Sequence, residues 1–558
     1  MEAIILFFLF CWVFFFRFYP YHLYFKEQLT LFLMQGDYIS SYLQKPAFLS
    51  EISGDFLTQF YLLTGCAPTI LALTLVLLWW GVKKSLEKFT ISNKIGILAL
   101  LPVVVEMALS CQTEYPLSMV IGVTSAVWMF VIYSSINNRV LARIAGCVFV
   151  VLLYVAIGAH FIAFCLLVVL YELKNHRAYL YSVVLLIITM SAPLLMADYY
   201  CLTAKRAFFY PIIDGYMMQM HFSFLATEAA ILIAVFLGGT KIKQWAAASI
   251  VIVVTIAGLL LSCSMKQESV LAAACESYFG HNDKVAGMQS NERYKTYIGA
   301  YYKNLAYAQQ GKLPDELMNH YQPAYHGLFL NINENVGYMQ AMFSTDALVE
   351  CGDMAQAQHS AMLAMTFTPH QRSSRMLRKL IDISMINGDY DLAEKFASQL
   401  EHTVFHGQWA RERVKVRENG KRAFLSQQDI LFSPNDWYAS LENLIESNPA
   451  NKTAIDYLLC FDLLDKNLGR FKIDYDKYYV PVFGSTPAKI YQEALMMCLD
   501  KEESAKDMIY VYNVSDKVCN ECIDFLARYE ESNGNGLPLK EKFGKTYWFY
   551  YYYAQIKK

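Results

Sequence analysis

Residues 144–173 read IAGCVFVVLLYVAIGAHFIAFCLLVVLYEL, a run in which Glu172 carries the sole formal charge. A helix needs about 20 apolar residues to cross about 30 Å of hydrocarbon. This stretch is too long for one comfortable crossing and short for two, with Gly158-Ala159-His160 as its possible turn. Whether it crosses once or twice decides on which side of the membrane the rest of the chain lies.

Apolar segments of this kind occur throughout the first 263 residues, whereas the remaining 295 residues contain no comparable run. A helix satisfies its backbone hydrogen bonds internally, so each segment is predicted to cross the membrane as a helix. If the stretch above counts as two spans, the predicted spans are residues 3–19, 59–82, 95–111, 117–134, 144–158, 161–173, 178–197, 222–239 and 245–263.

The two parts of the chain also differ in charge. Residues 1–263 carry 27 charged side chains and a net charge of +3, and residues 264–558 carry 69 and a net charge of −5. This contrast is typical of a lipid-solvated bundle next to a water-soluble domain. The predicted fold class is all-α, a polytopic transmembrane helical bundle of about nine spans followed by a soluble helical domain. No basic face that would indicate nucleic-acid binding is present.

Lysine and arginine positions predict the orientation. With nine spans and a cytoplasmic N-terminus, the outer loops contain only Lys26, Lys45, Lys205 and Arg206, although they are longer in total. The inner loops contain Lys83, Lys84, Lys88, Lys94, Arg139, Arg143, Lys174, Arg177, Lys241 and Lys243. This is the positive-inside bias, and merging the fifth and sixth spans would violate it. The sequence therefore predicts that residues 264–558 lie outside the cytoplasm.

The first outer loop, residues 20–58, is too long for a simple turn. Two apolar stripes at helical spacing predict two amphipathic helices in the membrane interface, with Gly36-Asp37-Tyr38 as the turn between them. The stripes consist of Phe25, Leu29, Phe32 and Leu33, and of Phe48, Leu49, Ile52, Phe56 and Phe60.

Three short motifs in this loop resemble the first loop of membrane glycosyltransferases of the GT-C class, which use lipid-phosphate sugars. They are Lys26-Glu27-Gln28, Gly36-Asp37-Tyr38 and Lys45-Pro46. The resemblance implies a polyprenyl-linked sugar as donor. It also implies that Glu27 or Asp37 is the base, or the metal-side carboxylate, that activates an acceptor hydroxyl.

Glu106 and Glu228 fall inside predicted spans, in the outer half of the bilayer. A charge at the centre of a membrane helix costs about 2.5 to 3.5 kcal/mol by insertion scales and usually faces the bundle interior. These two residues could therefore form a polar site, which makes Glu106 a third candidate catalytic residue. Alternatively, they snorkel or hydrogen-bond to neighbouring helices. Further polar residues that could join the site are Asp198, Asp214, Lys205, Arg206, His160 and His221.

Three glycine turns follow apolar helical stretches after residue 264. Gly311, Gly352 and Gly388 are spaced 41 and 36 residues apart, close to the 34-residue period of tetratricopeptide (TPR) repeats. Leu468-Gly469-Arg470-Phe471, with Pro449 and Tyr457-Leu458-Leu459 before it, is interpreted as part of a degenerate fourth unit. Stacked helix pairs bury apolar surface that one pair alone leaves exposed. Residues 264–558 are therefore predicted to be a TPR-like domain. The aromatic run Tyr547 to Tyr553 is expected to dock on it as a terminal helix.

The chain as a whole resembles an uncharacterised family of multi-spanning membrane proteins from Bacteroides-type bacteria, whose domain has no known function. That resemblance implies a Gram-negative inner membrane and a periplasmic C-terminal half. The residues that carry it are Lys26-Glu27-Gln28, Phe56-Leu57-Thr58-Gln59-Phe60, Asn304-Leu305-Ala306, Gly327-Leu328-Phe329, Ile386-Asn387-Gly388-Asp389-Tyr390, Tyr491-Gln492-Glu493-Ala494 and Thr546-Tyr547-Trp548.

Three functions remain open at this stage. The first is a membrane protein whose periplasmic domain binds a protein or an envelope polymer, such as a glycan. The second is a GT-C-like glycosyltransferase with Glu27, Asp37 and Glu106 as catalytic residues, and the third is a transporter. The histidines His359, His370, His402 and His406 are dispersed without a zinc motif, so no metal site is predicted. No cofactor is predicted, because neither a P-loop nor a dinucleotide fingerprint is present.

Overall fold

A computed structural model describes residues 2–211, 225–288, 295–331, 337–416, 425, 436–484, 487–499 and 505–555. The structure is 78% helical, and no strand occurs in these ranges. The predicted all-α class is therefore confirmed. The chain divides into two compact units, of which the first comprises Met1–Met265, Phe367–Leu377 and Ala397–Arg411. The second comprises Lys266–Thr366, Arg378–Phe396 and Glu412–Lys558.

Helices α1 to α14 form the continuous part of the first unit. Typical local signals start them: Pro20 precedes α2, and the Asn138 side chain accepts hydrogen bonds from the first N–H groups of α9. The bounds are α1 Glu2–Val13, α2 Tyr21–Leu29, α3 Gly36–Ser41, α4 Phe48–Thr58, α5 Cys66–Phe89, α6 Ile95–Leu98, α7 Leu100–Ser110, α8 Leu117–Ser134, α9 Arg139–Ile157, α10 Phe161–His176, α11 Tyr179–Ala197, α12 Ala204–Phe209, α13 Leu225–Gly238 and α14 Gln244–Ser262.

Several helices are long and apolar enough to cross a membrane. A bent pair, Ile4–Phe18 and Tyr21–Leu29, meets at an angle of 78° and adds one candidate, while Ile95–Ser110 and Leu225–Gly238 are apolar but shorter. The long candidates are Cys66–Phe89, Leu117–Ser134, Arg139–His176, Tyr179–Ala197 and Gln244–Ser262. By length and composition, the described residues thus contain five or six candidate spans, fewer than the nine predicted.

The stretch Arg139–His176 reverses direction in its middle. Gly158 has a φ of +61° between α9 and α10, a left-handed backbone that glycine adopts without steric cost. A guanidinium nitrogen of Arg143 lies 3.1 Å from the Glu172 carboxylate, whereas a straight helix would separate these residues by about 44 Å. Residues 144–173 therefore form two antiparallel helices. The turn between them lies at Gly158-Ala159-His160, the position that the sequence indicated.

Basic side chains gather at one end of this bundle. The ammonium of Lys174, at the end of α10, donates to the carbonyl of Phe89 at the end of α5, at 2.7 Å. Lys94, just before α6, donates to the carbonyl of Thr240, just after α13. Each lysine lies next to the last carbonyls of a helix, where the helix dipole favours a cation. Helix ends that are far apart in the sequence therefore share one basic end.

The first loop lies at the opposite end of the bundle. Lys26 of α2 donates to the carbonyl of Ser110, the last residue of α7, at 2.8 Å. The N–H of Ser264, which follows α14, donates to the hydroxyl of Tyr19 at 3.1 Å. Residues 20–58 are therefore separated from the basic end by the length of the helices.

Helices α15 to α32 follow the bundle. Their bounds are α15 Met265–Tyr278, α16 Asn282–Ala286, α17 Tyr297–Gln309, α18 Leu313–Glu316, α19 Tyr338–Cys351, α20 Met354–Thr366, α21 Ser374–Asn387, α22 Tyr390–Leu400, α23 Gly407–Arg413, α24 Trp437–Ser447, α25 Lys452–Leu464, α26 Leu468–Asp474, α27 Val480–Phe483, α28 Lys489–Leu499, α29 Ala505–Val511, α30 Asp516–Glu531, α31 Leu537–Phe543 and α32 Tyr547–Tyr553. A core of aromatic and aliphatic side chains from α17 to α28, with Tyr547 of α32, fills the second unit.

The three predicted glycine turns are confirmed in the second unit. Gly311, Gly352 and Gly388 have φ values of +68°, +89° and +84°. After each glycine, the next N–H donates to the carbonyl five residues earlier, at 2.8 to 2.9 Å. This Schellman pattern satisfies carbonyls that a helix end leaves unbonded.

The fourth turn has the same hydrogen bond at a different residue. Asn467 donates to the carbonyl of Asp462 at 2.9 Å, and the left-handed residue is Lys466, with a φ of +58°. Gly469, which belongs to the predicted fourth unit, lies inside α26. The left-handed residue of this unit is therefore a lysine, which a pattern of glycine turns does not reveal.

The C-terminal aromatic helix α32 docks on the second unit. The Glu493 carboxylate of α28 accepts the backbone N–H of Tyr547 at 2.7 Å, and the Trp548 indole donates to the Glu493 carbonyl at 2.8 Å. Tyr547 and Trp548 are fully buried, so the expected docking is confirmed. Burial raises the pKa of Glu493 to about 7, although the hydrogen bond from the Tyr547 N–H lowers it.

Candidate functional site

Helix α2 carries three consecutive buried polar side chains, Lys26, Glu27 and Gln28. Burying polar groups is unfavourable unless each is hydrogen-bonded. Here each side chain has a different partner. Lys26 bonds the last carbonyl of α7, as described above, and so fixes the first loop to the bundle.

Glu27 pairs with His406, which follows it by 379 residues. Oε1 of Glu27 lies 2.8 Å from Nε2 of His406, and both side chains are 5% exposed. The second carboxylate oxygen of Glu27, Oε2, is buried and has no hydrogen-bond partner in the described ranges. A carboxylate with an unused oxygen can accept a proton or a donor from a ligand. One oxygen of Glu27 is therefore open to a further hydrogen bond.

Gln28 accepts a hydrogen bond at 3.0 Å from the guanidinium of Arg375, which is fully buried. The end of α2 is bonded as well. The hydroxyl of Ser373 donates to the Gln28 carbonyl at 2.7 Å, and the N–H of Ser374 donates to the Thr30 carbonyl at 3.2 Å. The carbonyls at the end of α2 thus accept hydrogen bonds from the start of α21. Backbone groups that the two helix ends leave unbonded are paired with each other in this way.

Asp55 on α4 is the centre of a second polar cluster. Tyr42 donates to Oδ2 of Asp55 at 2.7 Å, and Nε2 of His370 lies 3.3 Å from the same oxygen. The hydroxyls of Tyr42 and Tyr38 are 2.8 Å apart, and Tyr38 donates to the Leu31 carbonyl. Burial and the charge of Asp55 raise the pKa of Tyr42, so its hydroxyl keeps its proton and remains a donor.

His370 is positively charged at neutral pH. Burial opposes the charge, but the hydrogen bond and charge of Asp55 and the charge of Glu51 outweigh it and raise the pKa of His370 to about 9. His370 and the next residue, Gln371, have φ values of +53° and +55°, a region that residues other than glycine seldom occupy. Such strain persists where surrounding contacts hold a segment in place.

The other face of α4 packs on the bundle at very close range. A Cβ on Gly54 would lie 2.6 Å from the backbone nitrogen of Ser118, at the start of α8. Only glycine allows this approach. Glu51, one turn earlier, accepts a hydrogen bond from Tyr210 at 3.2 Å, and the Tyr210 carbonyl accepts the N–H of Ala159 at 2.8 Å. The helix is thus positioned by the α9–α10 turn and by α8.

Glu27, Asp55, His370, Arg375 and His406 are called the loop site below. The three predicted catalytic residues do not come together in it. Asp37 lies in the first turn of α3 and is exposed. No hydrogen bond or ion pair joins Glu27, Asp37 and Glu106 within the part of the chain that the structure describes.

Glu106 and Glu228 belong to a separate polar cluster inside the bundle. Glu106 is fully buried on α7 and accepts hydrogen bonds from Thr227 at 2.7 Å and from Tyr115 at 3.0 and 3.1 Å. Glu228, the residue after Thr227 on α13, has Oε1 3.0 Å from Nδ1 of His160. These five residues are called the bundle site. The structure therefore brings together three of the predicted outer polar residues.

The remaining predicted members are not part of this cluster. Asp198, Lys205 and Arg206 are exposed on or next to α11 and α12. Asp214 and His221 lie outside the described residues.

His370, Arg375 and His406 were not recognised as site residues from the sequence. Two of them were seen as dispersed histidines without a metal motif, and Arg375 carried no signal. Their partners lie more than 300 positions away, and no local spacing reveals such a pair. A weak signal did exist in Lys26-Glu27-Gln28, a fully polar triplet within a loop predicted to be amphipathic.

These features define an all-helical protein with several helices suited to crossing a membrane and a buried polar site in its first loop. Residues 1–554 match the model of a family of unknown function, DUF6057, and the chain belongs to that family. Searches of curated proteins and of solved structures gave no match.

Proposed function

We propose that this chain is an integral protein of a bacterial inner membrane that presents a periplasmic, TPR-like helical domain for binding a protein or a cell-envelope polymer. One observation carries the proposal. Two segments of the C-terminal half, Phe367–Leu377 and Ala397–Arg411, pack on the first loop, at the end of the bundle opposite the basic residues. By the positive-inside rule, that end faces away from the cytoplasm.

A nine-span topology is part of the proposal. The antiparallel pair α9 and α10 supplies two crossings, so the five long stretches account for six. The bent pair Ile4–Phe18 and Tyr21–Leu29 supplies one more, and the shorter helices Ile95–Ser110 and Leu225–Gly238 supply two. An odd number of crossings places the N-terminus and the residues after Ser262 on opposite sides.

The repeated turns support a TPR-like domain as the binding part. Four helix pairs of the second unit are joined through the same Schellman hydrogen bond. Stacked pairs of this kind form extended concave surfaces, which repeat proteins use to bind other macromolecules. The family resemblance noted in the sequence is the basis for proposing a Gram-negative envelope and for naming a protein or a glycan as the bound partner.

Reporter fusions test this topology directly. Alkaline phosphatase folds only outside the cytoplasm, so a fusion after Lys558 is expected to be active in a Gram-negative host. A fusion after Lys243, in the predicted inner loop before α14, is the matched control and should be inactive. The reverse pattern would overturn the proposed orientation and the periplasmic domain with it.

A GT-C-like glycosyltransferase that uses a polyprenyl-phosphate sugar is the alternative. Its support is Glu27, a buried first-loop carboxylate with an unused oxygen beside His406. Transfer of the sugar from a polyprenyl-phosphate donor in isolated membranes is the readout. E27Q and D37N should abolish transfer, whereas E51Q, which alters another buried carboxylate of the same loop, should retain it. Wild-type transfer in both E27Q and D37N would remove this alternative.

A transporter is the third candidate, and it draws on the polar residues inside the bundle. Buried ionisable groups within membrane helices commonly mark ion or proton pathways. Glu106 and Glu228 meet that description. Uptake of solutes into proteoliposomes that contain the protein would test this candidate, and the result would not depend on the reporter fusions.

A further inference from the structure

The bundle site contains more acidic than basic groups. Glu106, Glu228 and His160 are at most 4% exposed. Neither carboxylate forms an ion pair or a hydrogen bond with a lysine or arginine in the described ranges. The ammonium of Lys26 bonds the carbonyl of Ser110, one turn beyond Glu106. Tyr115 is a further titratable member of the site among the described residues.

This composition leaves one negative charge unbalanced. Even if His160 is protonated, two ionised carboxylates give the site a net charge of −1. An unpaired charge in an apolar interior is strongly unfavourable, and such groups become neutral by taking up a proton. The helices close tightly over the site: a Cβ on Gly122 of α8 would lie 2.6 Å from Cδ2 of His160. Compensation by surrounding solvent is therefore small.

The two carboxylates differ in their bonding. Both oxygens of Glu106 accept hydrogen bonds from hydroxyl groups, so both are already occupied by donors. Oε1 of Glu228 contacts His160, but Oε2 is buried and has no hydrogen-bond partner among the described residues. Glu228 therefore offers the free position in the site.

We propose that the bundle site binds one proton, on Oε2 of Glu228, taken up from the outer aqueous phase. An O–H bond forms at Oε2 as hydronium gives up its proton, so charge balances with no redox change. The side chains bond in pairs, and no three metal-ligating groups converge in the described ranges, which favours a proton over a metal ion. The site lies near the loop end of the bundle, because Glu106 is one turn from Ser110.

This inference goes beyond the proposed binding function, since it gives the bundle a role other than anchoring. A proton bound at this depth makes the bundle responsive to the pH of the outer compartment. The inference requires the bundle to be in a membrane, but it does not depend on what the C-terminal half binds.

Infrared spectroscopy of the full-length protein in nanodiscs tests the proposal. At pH 7, the spectrum of the wild type minus that of E228Q should show the C=O band of one buried protonated carboxylic acid, and this band should shift on exchange into D2O. Bands of Glu493 and Asp462, whose pKa values are also raised by burial, cancel in the difference. E228Q should lose the band. E172Q is the matched control, because Glu172 is equally buried but is paired with Arg143 and Tyr133; it should retain the band. E106Q should weaken the band. Without the charge of Glu106, an ionised Glu228 and a protonated His160 already make the site neutral, so the added proton is not needed.

Several outcomes would overturn the proposal. They are absence of the band in the wild type, its persistence in E228Q, and its loss in E106Q together with retention in E228Q. Loss of the band on adding sodium chloride but not choline chloride would show that a metal cation occupies the site instead. If E228Q does not fold, the weakening in E106Q and the response to sodium decide the question.

Discussion

The loop site and the bundle site contain the same pair in different surroundings. In each, a buried glutamate contacts a histidine through one oxygen and leaves the other oxygen without a described partner. Gln28, next to Glu27 in the chain, binds the guanidinium of Arg375, whereas among the described residues no lysine or arginine pairs with Glu106 or Glu228. The comparison indicates that nearby charge decides whether such a pair is a fixed structural contact or a proton acceptor.

Replacing the histidine of each site should have the largest effect on the free energy of unfolding, and the size of that effect should differ between the two sites. His406→Ala leaves the Glu27 carboxylate buried without its hydrogen-bond partner, which costs about 3 kcal/mol when the group left behind is charged. His160→Ala should cost less, because Glu228 can remain neutral by holding a proton. The free energy of unfolding in mixed micelles is the measurement.

His402→Ala, at an exposed position just after α22, controls for the loss of a histidine as such and should be within about 0.5 kcal/mol of the wild type. Equal losses in His406→Ala and His160→Ala would remove the proposed difference between the sites. A larger loss in His160→Ala would reverse it.

The loop and bundle sites also differ in how far the sequence predicted them. Glu106, Glu228 and His160 were named as residues that could form one polar site, because charged residues in apolar spans usually face the bundle interior. The pairing of Glu27 with His406 had no such signal, since it depends on tertiary contacts across 379 residues. Helix class and the glycine turns were predictable for a similar reason: apolar periodicity and glycine conformation are local properties.

A second prediction compares two arginines at the loop site. Arg375 is fully buried and donates to Gln28, so Arg375→Ala should cost about 2 kcal/mol, the value of a hydrogen bond to a charged group together with lost packing. Arg372 lies over the Tyr38 ring at 4.7 Å, and Arg372→Ala should cost about 0.5 to 1 kcal/mol. Thermal unfolding in detergent measures both. A greater loss for Arg372→Ala would show that the buried contact is not the stronger one.

The third prediction concerns pH. Because Asp55 raises the pKa of His370 to about 9, the contact stabilises the folded loop fully below about pH 6.5, the usual pKa of histidine. Stabilisation is lost as the pH rises towards 9. Since the ring is 32% exposed, solvent screening reduces the effect to about 1 to 2 kcal/mol. The hydrogen-exchange protection factors of residues 367–377, which correct for the intrinsic base-catalysed rate, should fall over this range, and His370→Asn should remove that fall.

The smallest predicted difference concerns two tyrosines, each donating to a buried carboxylate. Tyr42→Phe removes a donor from Asp55, and Tyr115→Phe removes one from Glu106. A lost hydrogen bond of this kind costs about 1 kcal/mol. The loop site should lose that full amount, because Asp55 stays buried after its donor is removed. The bundle site should lose less, because proton uptake can compensate, and its loss should grow on going from pH 6 to pH 8. Equal losses at both values would mean that Glu106 and Glu228 have fixed charges, and the bundle site would then be a structural contact like the loop site.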